Sequence, residues 1–226
     1  MSKLHKAENL FLITSVLIPS NKPLSYIPIR SVYTPNERFV QTVETVKSIR
    51  EKVPNSYIYW VEGSYLPSDI EQQVKILCDR YTNVWYKKEL REQIDSTNKS
   101  LGEATLILEA LSQWDGWKQF NNYFKISGRY FLNDGFDLNT FNNTLNVFQF
   151  RNTHYATTLY KIHLTHMHQY IQVLNDILIP MTKDKNLGIE WALFNMYPPT
   201  HPDNSCVSRV GVSGLCSVVH NCLFQH

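Results

Sequence analysis

Past the middle of the chain, the stretch YFKISGRYFLNDGFD (residues 123–137) starts as an alternating strand and breaks at Ser127–Gly128 into a corner crowded with reactive groups. Arg129 brings a guanidinium, and Asp134 and Asp137 bring carboxylates. Asn133–Asp134–Gly135 is also a run of turn formers, which would leave Arg129 to an ordinary ion pair. Other chemistry-bearing residues sit where elements begin or end. Glu62 follows an apolar strand and precedes Gly63. Arg38 opens a helix, a position where phosphate is favoured, although a surface i,i+4 partner fits it equally. Asn98 and Lys99 precede Ser100 and Glu103, which read as an N-cap and the far end of a capping box. Glu190, between Gly188 and Trp191, is a carboxylate able to take a proton from a hydroxyl, or a helix-start acid favoured by the dipole.

These groups sit in an ordinary globular background. The 226 residues suit one large domain, and 43% hydrophobic with 19% charged residues is normal for a buried core. A net charge of +2 argues against a nucleic-acid or anionic-membrane partner. Tyrosines number 13, a surplus that suits stacking on sugar rings or bases as well as core packing. Cys78, Cys206, Cys216 and Cys222 form no Cys-x-x-Cys pair, so free thiols in a reducing compartment are expected in preference to zinc. The apolar run LFLITSVLI after Lys3, His5 and Lys6 is too short to span a bilayer and has no small-residue cleavage site. It reads as a buried first strand of a cytoplasmic protein without a transmembrane segment, in which the sequons at Asn98 and Asn142 carry no weight.

Strands are expected at 9–18, 56–64, 83–88 and 122–127. Helices are expected at 36–52, capped by Asn36, at 68–81, capped by Ser68, and at 100–114. Helix-length crossovers between strands imply a parallel sheet, whose ligands bind at the strands' carboxyl ends. Those ends are Thr14–Ser15, Glu62–Gly63 and Ser127–Gly128–Arg129. No Gly-x-Gly-x-x-Gly and no phosphate-loop lysine follows the first strand. Beyond residue 137 the pattern becomes mixed: strands at 146–151 and 155–163, helices at 165–181 and 188–197, and a glycine-containing strand at 208–220. His163, His166 and His168 read as polar surface. Arg151, His154 and Tyr155 fall in the loop joining two strands.

This order resembles the GT-A glycosyltransferase fold, a Rossmann-like α/β arrangement with a mostly parallel central sheet flanked by helices and a mixed α+β C-terminal half. ERFVQTVETVKSIREKVPNSYIYWVEGS, NKSLGEATLILEAL with YFKISGRYFL, and GIEWALF carry the resemblance. It implies a single domain over 1–226, with a nucleotide-sugar half (1–137) and an acceptor half (138–226). It also implies transfer of a sugar, hexosyl or pentosyl with inversion favoured, from a nucleoside-diphosphate sugar such as UDP-sugar to a glycan or glycoconjugate, as in polysaccharide biosynthesis. Thr14, Ser15, Arg38, Glu62, Asn98, Lys99, Ser127, Gly128 and Arg129 would meet the donor. Glu190 would be the catalytic base, and Trp191 and Tyr155 would meet the acceptor. The family usually ends its fourth strand with Asp-x-Asp, which holds Mn²⁺ or Mg²⁺ on the diphosphate; here Ser127–Gly128–Arg129–Tyr130 stands there. Either Arg129 neutralises the phosphate without a metal, or Asp134, Asp137 and His220 hold the cation. Two alternatives remain: a non-catalytic nucleotide- or sugar-binding domain, and a sugar-phosphate nucleotidyltransferase, whose glycine-rich first loop is absent.

Overall fold

The computed structural model of the chain describes residues 7–215 and 223–225. A seven-stranded sheet forms its centre. In chain order its strands are β1 (Asn9–Ser15), β2 (Tyr57–Glu62), β3 (Arg80–Asn83), β4 (Asn122–Ser127), β6 (Asn146–Arg151), β7 (His154–His163) and β8 (Asn204–Val207). Their spatial order is β3-β2-β1-β4-β7-β6-β8. Pairings β3–β2, β2–β1, β1–β4 and β6–β8 are parallel, and β7 alone runs against its neighbours. A small antiparallel sheet joins β5 (Tyr130–Leu132), β9 (Val212–Leu215) and β10 (Leu223–Gln225). This is the expected α/β class.

The central strands are buried on both faces, so their apolar residues form runs in which parity decides the destination. Leu10 and Leu12 of β1, Tyr59 and Val61 of β2 and Tyr123 of β4 enter one core. There they pack against α4 (Lys99–Gln113), α6 (Met167–Lys183) and α7 (Ile189–Met196). Phe11 and Ile13, Ile58 and Trp60, and Phe124 and Ile126 enter the other core, under α1 (Pro35–Lys52) and α2 (Ser68–Leu77). Phe11 stacks on Phe124 across the β1–β4 pair with ring centroids 4.4 Å apart. Two short helices, α3 (Lys88–Ile94) and α5 (Leu138–Phe141), complete the set.

Several boundaries differ from expectation. The third strand is Arg80–Asn83, not 83–88, and α2 stops at Leu77. The Asp79 carboxylate accepts from the Ile58 amide and from Arg50, each at 2.7 Å, which ties the chain to the sheet and ends the helix. Thr34, not Asn36, caps α1, with Glu37 completing a capping box around Pro35. Pro67 takes the position before α2, where Ser68 was expected. Asn98, not Ser100, caps α4, so Glu103 is released from the capping box. Of the strand expected at 208–220, only β9 forms among the described residues: 208–211 joins it to β8 without strand pairing, and 216–222 lies outside the described residues.

Candidate active-site cleft

Strand β4 brings the chain to the carboxyl edge of the sheet at Ser127, and the corner that follows is held tightly. The Gly128 amide donates to the Thr14 carbonyl at 2.9 Å, and its own carbonyl accepts from Thr42 Oγ1 of α1 at 2.6 Å. A Cβ at position 128 would lie 2.8 Å from Thr42 Cγ2, so only glycine lets the corner approach the helix this closely. From there the chain runs down α1. The Leu132 amide meets Ser48 Oγ at 2.9 Å, and Asp134 pairs with Lys52 at 2.7 Å. Thr42 to Lys52 is about 15 Å of helix at 1.5 Å per residue. That run puts Asp134 at the C-terminal end of α1, away from the corner. Asp137 is occupied as the cap of α5, accepting from the Asn139 amide at 3.0 Å. Neither aspartate lines the cleft, which corrects their expected part in metal binding. His220 lies outside the described residues.

Two cavities open along this edge, enclosing about 740 and 680 Å³ with their mouths. They share Lys99, Glu103, Ser127 and Arg129 and so form one cleft. The first is also lined by Thr14, Ser15, Arg38 and Gly128, together with the apolar Val16, Leu24, Ile94 and Leu106. Arg38 is fixed by donating Nε to the Val16 carbonyl at 2.8 Å and Nη1 to Ser31 Oγ at 3.2 Å. Burial, and then the Arg129 guanidinium, push Arg38 down to about 9, with Glu62 opposing. Arg129 is 9% exposed and lies 5.3 Å from the Tyr130 ring, and among the described residues its buried Nη1 has no hydrogen-bond partner.

The second cavity is lined by Glu190, Ser100, Arg151, His154, Thr157 and the wall around Tyr155. Glu190 Oε1 accepts from Thr157 Oγ1 at 2.9 Å and Oε2 from Ser100 Oγ at 3.3 Å, so two hydroxyls orient the carboxylate. A Cβ on Gly188 would lie 2.6 Å from Glu190 Oε2, so glycine leaves this carboxylate its place. Trp191 is half-exposed beside it, although it does not line the cavity.

Between the cavities lies a pair that the sequence reading did not single out. Lys125 is fully buried and donates from Nζ to Glu103, to Ser127 Oγ at 2.8 Å and to the Thr157 carbonyl at 2.9 Å. Burial pushes its ammonium well below the usual lysine range, and Lys99 adds to the push. Glu190 works the other way, and Arg129 adds to the lowering. The parity of NYFKIS was the available signal, since Lys125 shares a face with Tyr123 and Ser127 in a strand buried on both sides. Arg30 was missed as well: it lines the first cavity and donates to the Asp95 carbonyl at 2.7 Å.

Glu62 and Asn98 are engaged away from the cavities, and Tyr155 stays in the wall of the second. Glu62 is fully buried, and its carboxylate accepts from the Leu17 amide at 3.0 Å, the Ser64 amide at 2.9 Å and the Ser64 hydroxyl at 2.5 Å. It fastens the loop after β1 and does not line the first cavity. Asn98 accepts from the Ser100 and Leu101 amides and donates to the carbonyls of Met181, Asp184 and Leu187. The Tyr155 ring is buried, with its hydroxyl on the Tyr197 carbonyl.

No protein-family profile matches the chain, and no curated protein matches it in sequence. Solved structures do match. The glycosyltransferase GlyE of Streptococcus pneumoniae TIGR4 is 9% identical, with a TM-score of 0.52 over 89% of this chain and 45% of that one. Core-mannan synthase A (CmsA/Ktr4) of Aspergillus fumigatus, in a Mn/GDP form, is 9% identical, with a TM-score of 0.51 over 91% and 74% of the two chains. The chain thus spans less than half the length of GlyE. With these likenesses and the sheet order above, the chain has the GT-A fold.

That fold raises the question of a divalent cation at the end of β4. The groups at the corner are Ser127, Gly128, Arg129 and Tyr130, Glu103 is engaged by Lys125, and Asp134 and Asp137 are elsewhere. Among the described residues no three His, Cys, Asp or Glu side chains gather to hold a metal. The donor set at this corner does not fit a divalent cation. No helix among the described residues is long and apolar enough to cross a membrane.

Proposed function

We propose that the protein is a glycosyltransferase that moves a sugar from a nucleoside-diphosphate sugar to a hydroxyl of a glycan or glycoconjugate in the cytoplasm. One observation carries this reading: a single cleft at the carboxyl edge of the sheet, cationic at one end and closed at the other by a carboxylate held between two hydroxyls. The apolar pocket of Val16, Leu24, Ile94 and Leu106 takes the nucleoside, with Thr14 and Ser15 at its edge. The diphosphate lies by Arg38, Arg129 and Lys99. The acceptor enters past Arg151 and His154, and Trp191 offers it a stacking face at the rim.

The reaction follows from that placement. The acceptor oxygen attacks the anomeric carbon as the bond from that carbon to the phosphate oxygen breaks. The electron pair leaves on the diphosphate, where fixed cations stabilise it most as its charge grows. The hydroxyl proton goes to Glu190, on the acceptor side, and the anomeric centre inverts. The expected donor is a uridine or guanosine diphosphate sugar. Incubating the protein with such donors and an acceptor library, and reading released nucleoside diphosphate and glycosylated product, tests the proposal. Donor binding without product from any acceptor would leave a binding domain in place of an enzyme.

A further inference from the structure

The mismatch between the β4–β5 corner and a metal site leads to an inference that rests on the donor reading above. We propose that Arg38 and Arg129 form a built-in cradle for the donor's diphosphate, so that donor binding needs no divalent cation.

The cradle is already assembled. Both guanidiniums line the same cavity at the sheet's carboxyl edge. Arg38 is locked to the Val16 carbonyl and Ser31, and Arg129 is set by the corner that Gly128 presses onto Thr42. Among the described residues neither guanidinium is ion-paired to a carboxylate. Glu62, the acid that opposes the pressure on Arg38, has Oε1 taken by Leu17 and Ser64 and Oε2 by the Trp60 indole N–H. The Arg129 guanidinium makes Arg38 harder to keep charged, and among the described residues Arg129 Nη1 is buried with nothing to donate to. A buried donor left unsatisfied and two adjacent buried like charges both oppose folding, and an anion between them relieves both. Guanidinium forks match phosphate oxygens in pairs, which a carboxylate–metal site achieves only through the ion. Carboxylates at this corner would cancel the cradle, and Ser127–Gly128–Arg129–Tyr130 supplies none.

The cradle makes two demands that a structural arginine would not. Replacing Arg129 with an apolar side chain of similar length should remove the repulsion from the unliganded protein, so Arg129→Met should melt no lower than the parent. The same change should remove the anion site. Calorimetric titration of UDP, GDP and inorganic pyrophosphate into the parent, Arg129→Met and Arg129→Lys, each in EDTA and in Mn²⁺, reads both demands. The parent should bind a nucleoside diphosphate equally well in EDTA and Mn²⁺. Arg129→Met should weaken it about tenfold to a hundredfold, the scale of a charged hydrogen bond, with Arg129→Lys recovering part. Binding that requires Mn²⁺ and ignores Arg129 overturns the cradle, as does a lower melting temperature in Arg129→Met with binding intact. If pyrophosphate binds through Arg129 while no nucleoside diphosphate does, the cradle stands and the donor reading falls. Failure of every anion to bind at millimolar concentration overturns both.

Discussion

At the scale of the residue, position decides which of several similar groups is available for chemistry. Glu62, Glu103 and Glu190 all lie near the sheet's carboxyl edge. Glu62 is closed off by Leu17 and Ser64, and Glu103 is tied to Lys125, whereas Glu190 faces the second cavity held by Thr157 and Ser100. Two hydroxyl donors fix a carboxylate without removing its capacity to accept a proton. Glu190→Gln keeps the shape and removes the base proposed above, so turnover should fall by about a hundred- to ten-thousandfold. Donor affinity should stay near the parent's, because Glu190 does not line the first cavity. Steady-state kinetics alongside calorimetry of the free nucleotide separates the two, and a variant with parental turnover would move the base elsewhere.

At the scale of the element, the site depends on two joints. The first is the close approach of the β4–β5 corner to α1, where a methyl at Gly128 would press on Thr42. Gly128→Ala should destabilise by about 1–3 kcal/mol, the usual cost of overpacking a tight contact, and should weaken diphosphate binding by displacing Arg129. Urea unfolding and calorimetry of the same preparation check both halves. The second joint is Asn98, which caps α4 with its oxygen and gathers the end of α6 and the following loop with its amide nitrogen. Loss of a cap costs about 1 kcal/mol, and orphaned carbonyls add to it, so Asn98→Ala should cost about 2–4 kcal/mol in urea unfolding. Asn98→Asp keeps the cap and turns a donor into a charge facing carbonyls, so it should not restore stability. Recovery in that variant would show that the cap alone matters.

At the scale of the whole molecule, ionisable groups buried in both cores make stability depend on alkaline pH. Burial holds Lys161 down at about 8 and Lys125 well below its usual range. While the folded protein has lost such a proton and the unfolded chain still holds it, raising the pH stabilises the fold. The lysine contribution is therefore complete above the ordinary lysine value of 10.5 and is lost as pH falls toward 8. Tyr123, Tyr160 and Tyr170 are buried with their hydroxyls held well above the usual 10.0, so the folded state keeps protons that the unfolded state releases. Their contribution is present below that value and is lost as pH rises past it. Urea midpoints measured from pH 7 to 11 should rise, pass a maximum near pH 10 and then fall. Tyr170→Phe should soften the fall, and a midpoint that declines steadily from pH 7 would contradict the lysine half of the argument.

What the sequence determined by itself was local and periodic. Strand–helix alternation with helix-length crossovers implies a parallel sheet, whose strand ends fall at Ser15, Gly63 and Ser127. The arginine standing where the fold usually places acids is also plain in SGRY, because strand and turn signals fix its address. Tertiary structure decided what each polar group at that edge was left to do. Asp134 and Arg129 are five residues apart, yet the chain's descent along α1 carries one to Lys52 and leaves the other in the cleft. Glu62 and Glu190 both look like acids at an element's end, yet the loop after β1 folds onto the first and two hydroxyls present the second. Lys125 finds Glu103 only because β4 passes beneath α4. Periodicity tells which face a side chain takes. Its partners across that face come from segments distant in sequence, and those partners determine whether a charge is neutralised, locked or left waiting for a ligand.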